Sequence, residues 1–161
     1  MKNTQPCSAE AAATRQFYMD KSVAVCIDQT PKTWGLELQA VCVTPESDRE
    51  FALGFFDSEE KARAFCARNA LPVYAVNGKD EMRKIYCIAL EGEMETGVNW
   101  YAKKTNRDAA RGYTGAETEI AFTIVVPRAA TLDEITQLAD RAAWDKTYIA
   151  EPGNADLAQM A

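Results

Sequence analysis

Residues 119–144, EIAFTIVVPRAATLDEITQLADRAAW, hold a strand, a breaker, a helix cap and a helix in succession. Glu119–Val126 is apolar and β-branched along most of its length, the composition of a strand covered on both faces and so central in a sheet. Pro127 ends it, because proline has no N–H to give to the ladder. Thr131 and Glu134 have the spacing of a capping box, in which the hydroxyl accepts an amide of the first helical turn. Behind them Leu132, Ile135, Leu138, Ala139, Ala142 and Ala143 recur at the helical period, giving an amphipathic helix.

The stretch FALGFFDSEEKARAFCARN (51–69) loosely echoes this arrangement. Phe51–Phe56 reads as a strand. Asp57 and Glu60 make a capping-box pattern, and Ala62, Phe65 and Cys66 form the apolar stripe of a helix. Asn69 and the following Leu71-Pro72 close it, since a residue before proline avoids helical geometry. Ser22–Asp28 and Leu36–Thr44 read as further strands, the second with Leu36, Leu38, Ala40 and Cys42 on one face. Val73–Val76 is a short strand ending at the Asn77-Gly78 turn. Lys84–Leu90 alternates, and Val98–Lys103 returns as its hairpin partner across the turn EGEMETG.

The expected fold is therefore α+β: one domain over residues 22–148, with an antiparallel or mixed sheet of about six to seven strands and two main helices packed on one face. Residues 1–21 are expected to form a flexible arm or a short helix capped by Ser8, and residues 149–161 a flexible tail.

Length and composition agree with one globular unit: 161 residues, 47% hydrophobic and 26% charged. The net charge of −6 argues against general binding to a nucleic-acid backbone and favours basic partners. No apolar run reaches membrane-spanning length, and the N-terminus lacks the apolar core of a secretory signal, so a cytoplasmic location is expected. The five cysteines, at 7, 26, 42, 66 and 87, have no paired spacing. They read as reduced core thiols, with no disulfide framework, metal or cofactor implied. The chain has no histidine, which removes Ser-His and Cys-His mechanisms and the usual proton shuttle.

Chemistry-bearing residues concentrate in YAKKTNRDAARGYTGAETE (101–119). Lys103, Lys104, Arg107 and Arg111, against Asp108 alone, make residues 101–113 a +3 island, flanked by Tyr101 and Tyr113. Cations beside stacking rings are a candidate anion-binding patch, although its simplest reading is a solvated connection. RGYTGA (111–116) resembles the pyrophosphate loop of the acetyltransferase superfamily, but Thr114 stands where that loop has glycine, and a strand follows in place of a helix. Glu117-Thr118-Glu119 resembles the Glu-x-Glu turn of arginine-type ADP-ribosyltransferases, a carboxylate chemistry that needs no histidine. That family's strand arginine and Ser-Thr-Ser are missing here. These partial matches define the alternative function, a histidine-free transferase built on residues 107–119.

Two other features point to a protein partner. Glu91, Glu93 and Glu95 surround Met94 at the hairpin tip, an acidic, apolar-tipped contact for a basic surface. Trp144 lies about 120° from Leu132 on the helical wheel, beside Asp133, Gln137 and Asp140 and away from the apolar stripe, and tryptophan is enriched at binding hot spots. Together with the acidity of the chain, they favour a small binding protein, an inhibitor or adaptor of the type encoded by phages and mobile elements.

Overall fold

The computed structural model describes residues 9–30, 38–92 and 97–151. The fold is α+β, but its strands form two sheets where one was expected. The first contains β1 (Ala24–Gln29), β2 (Leu38–Val43), β3 (Ala52–Phe56), β4 (Val73–Val76) and β5 (Lys79–Asp80). Their order is β3-β2-β1-β4-β5, and β1 pairs in parallel with β4. The second contains β6 (Met82–Glu91), β7 (Gly97–Tyr101), β8 (Thr118–Pro127) and β9 (Ile149–Ala150), in the antiparallel order β7-β6-β8-β9. Helices α1 (Ala9–Lys21) and α2 (Glu59–Arg68) accompany the first sheet, and α3 (Lys104–Ala110) and α4 (Leu132–Asp145) the second.

The two strand–cap–helix segments account for the division. In each, the helix returns across the sheet that contains the strand before it, so α2 and α4 lie on different sheets and not on one shared face. Ala62 and Cys66 of α2 are buried against Val25, Ile27, Ala40, Cys42 and Leu53. Ile135, Ala139 and Ala142 of α4 are buried against Ile85, Cys87, Phe122 and Val126. The opposite faces of the sheets meet each other: Ala24, Cys26, Val43 and Ala75 of the first pack with Val125 and Ile149 of the second. Each sheet is thus covered on both sides, which is why β1 and β8 read as near-continuous apolar runs.

Local signals hold with small shifts. Thr131 caps α4 as its spacing predicts, its hydroxyl accepting from the Glu134 amide at 3.2 Å. At α2 the cap is Ser58, one residue after Asp57, and Asp57 instead pairs with Lys61 one turn on. The α4 stripe is narrower than the sequence pattern, for Leu132 and Leu138 are exposed.

The chain ends hold larger differences. Ala9–Lys21 is the helical alternative for the N-terminal segment, and its Tyr18 stacks on Phe51 at 4.6 Å between ring centroids. Ile149 and Ala150, assigned by sequence to a tail, pair with Thr123 and Phe122 as β9. Glu151 follows them into the interior at 6% exposure.

Candidate docking cleft

The +3 island comes apart in three dimensions. Val98–Lys103 was expected to be strand, but β7 stops at Tyr101 and α3 begins at Lys104. This helix has no side-chain N-cap bond, and Arg107 is its one fully buried residue. The Arg107 guanidinium donates to Glu151 at 2.6 and 3.1 Å, to Asp108 at 2.8 Å, and to the Cys87 and Phe122 carbonyls. Burial by itself would lower the Arg107 pKa, but the hydrogen bonds and charges of Glu151 and Asp108 together outweigh it and the net shift is upward. Arg107 is therefore an internal anchor, and its assignment to an anion-binding surface is corrected: a ligand would have to displace two carboxylates to reach it. Lys103 and Tyr113 are exposed, and Tyr101, Lys104 and Arg111 are half-buried. They remain as a cationic rim without its fourth member.

The transferase resemblance loses its acid in the same way. Glu119 is 9% exposed and turned back on its own loop, accepting from the Gly112 amide at 2.6 Å and from the Thr114 hydroxyl. Thr114, the residue that breaks the acetyltransferase pattern, in turn accepts from the Ala116 amide. Gly112 and Gly115 have φ of +86° and +83°, the left-handed region that favours glycine. Their spacing therefore serves a tight loop closed by an internal carboxylate. Glu117 remains exposed.

The residues assigned by sequence to a partner contact fare differently. Trp144 is 87% exposed on the last turn of α4, a point that its offset from the apolar stripe had left open. Beside it lies a cleft of about 500 Å³ between the C-terminal end of α4 and the β6–β7 hairpin. Trp144 and Glu91, separate candidates in the sequence, both line it. Glu93, Met94 and Glu95 fall outside the described residues. Ala89, Val98, Ala143 and Tyr148 supply its apolar wall. Tyr148 is held in place by stacking on Phe122 at 4.3 Å between centroids. Trp100, on the strand that bears Val98, is tied to α4 through its indole N–H and the Thr136 hydroxyl at 2.9 Å. Both sides of the cleft are thus braced by internal contacts.

Asp140, Lys146 and Tyr148 also line the cleft; sequence noted Asp140 only as a neighbour of Trp144 on the helical wheel and did not single out the other two. For Asp140 a signal was available: it stands four residues before Trp144, so the two share a face of the helix. Lys146 and Tyr148 follow the helix end, where Lys146 adopts φ 54° and turns the chain back toward β9. Only the folded chain brings that turn opposite the hairpin.

No known protein family, no curated protein and no solved structure matches this chain. Among the described residues no group of three or more cysteine or acidic side chains is arranged to hold a metal ion. No described helix is long and apolar enough to cross a membrane.

Proposed function

We propose that this protein works by binding a macromolecular partner with a basic surface, as an inhibitor or adaptor, and that the Trp144 cleft is where the partner docks. The observation that carries this reading is the 87% exposure of Trp144 at the mouth of an apolar cleft. An indole left in water retains most of its burial energy for another molecule, and such aromatic anchors dominate binding energetics. Bulk charge supports a basic partner, since a net −6 steers cationic surfaces toward the protein. A cytoplasmic setting belongs to the same proposal; the four described cysteines are free and buried, as suits a reducing compartment.

Site-specific photo-crosslinking in cells tests the proposal. A benzophenone side chain at exposed Gln137, on the Trp144 face of α4 and with the indole kept, should yield a discrete adduct with one partner, while the same group at exposed Glu60 on α2 should not. Equal labelling at both positions, or none at 137, would remove the cleft from consideration.

A further inference from the structure

The occupant of the cleft can be specified further, on the assumption that the cleft is the docking site. Two carboxylates, from Glu91 and Asp140, border it, against one ammonium, from Lys146. Among the described residues neither acid takes part in an ion pair, although eight such pairs tie up acids elsewhere. Asp140 stands four residues before Trp144 and so shares its helix face, and both line the cleft. An aromatic face bordered by uncommitted carboxylates disfavours an anion, and a purely apolar side chain would desolvate the acids without compensating them. A cation on an alkyl stem satisfies each part of the lining.

The geometry points to a single arginine side chain of a protein partner as the occupant, with its guanidinium over Trp144 and facing Asp140 and Glu91, and its methylene stem along Val98, Ala143 and Tyr148. Arginine suits this cleft better than lysine because its planar, weakly hydrated head stacks on an indole while its edge donates in parallel to a carboxylate. The braced walls reduce the ordering needed on binding. Lys146 opposes the incoming charge, which makes the arginine contact weak and easily tuned by substitution at that position.

The test uses the intact protein and a capped Gly-Ser-Arg-Ser-Gly peptide, with lysine and citrulline counterparts. The readout is the indole N–H resonance of Trp144, identified by its disappearance in Trp144→Phe. The arginine peptide should shift this resonance saturably, in the millimolar range, with the lysine peptide weaker. The citrulline peptide, equal in shape but uncharged, should have almost no effect. Asp140→Asn and Glu91→Gln should each weaken binding about two- to fivefold, the scale of an exposed ion pair. Lys146→Asn, which removes the opposing charge and tolerates the left-handed backbone, should tighten it about twofold.

Equal shifts from the arginine and citrulline peptides, or affinity unchanged in Asp140→Asn/Glu91→Gln, would overturn the assignment of arginine. If crosslinking at position 137 still succeeds in that case, docking at the cleft stands and only its occupant is wrong. If crosslinking fails as well, both proposals fall.

Discussion

The buried pair of Arg107 and Glu151 should be the most sensitive point of the fold. Their side chains are 0% and 5% exposed, and they meet through two hydrogen bonds, the shorter 2.6 Å. The Thr123 hydroxyl donates to Glu151 at 2.6 Å, and the Arg107 carbon at the fork of its guanidinium lies 5.7 Å from the centre of the Tyr86 ring. The pair joins α3 to the residue that follows β9, two elements 44 residues apart in the chain. Arg107→Met strands a buried carboxylate, and Glu151→Met strands a buried guanidinium relieved only in part by Asp108. Each should cost about 3–5 kcal/mol, a large share of the roughly 5–15 kcal/mol typical of a whole domain. The double variant strands no charge. It leaves the Thr123 hydroxyl and two carbonyls with fewer partners, for a cost of about 2–3 kcal/mol, well below the sum of the single changes. Urea unfolding followed by circular dichroism, arranged as a double-mutant cycle, measures this directly. Single-variant losses under about 1 kcal/mol, or strict additivity, would show that the pair is solvated or unpaired in solution and refute the reasoning.

Other expectations concern the cap and the thiols. Thr131→Ala removes the hydroxyl that accepts from Glu134 and should cost about 1 kcal/mol, visible as a lower urea midpoint with an unchanged slope. Burial pushes the Cys87 thiol up to about 12, from an ordinary value of 9.0, with Arg107 opposing the shift only in part. Because its folded value is raised, the neutral thiol contributes stability that is fully present below pH 9.0 and declines as pH rises toward about 12. Alkaline unfolding should therefore be less steep in Cys87→Ala over that window. In native protein near pH 8, Cys26, Cys42, Cys66 and Cys87 should react with a thiol reagent only as fast as the chain opens, since all four are buried. Rapid modification of any of them would contradict the packing.

Sequence determined what depends on neighbours along the chain. Strand, breaker, cap and amphipathic helix in residues 119–144 were legible because backbone geometry, capping and helical period all act within a few residues. The same local rule placed Trp144 off the apolar stripe, and the indole is exposed. Helix α3 was not legible, because its anchor is a charged residue and hydrophobic periodicity has no sign for a buried arginine. β9 was missed for a related reason: a strand of two residues carries no pattern, and it is held by β8 and by the Arg107–Glu151 pair across 44 residues of sequence.

What tertiary structure alone decided was which groups are available. Arg107 and Glu119 looked reactive in sequence, yet each is consumed by an internal contact. Glu91 and Trp144 lie far apart in the chain, yet the β6–β7 hairpin and the end of α4 bring them to one cleft. Burial and pairing are properties of the whole packed chain, since the free energy of a charge depends on every group that surrounds it. Composition can supply the charges, but only the fold determines which of them still face outward.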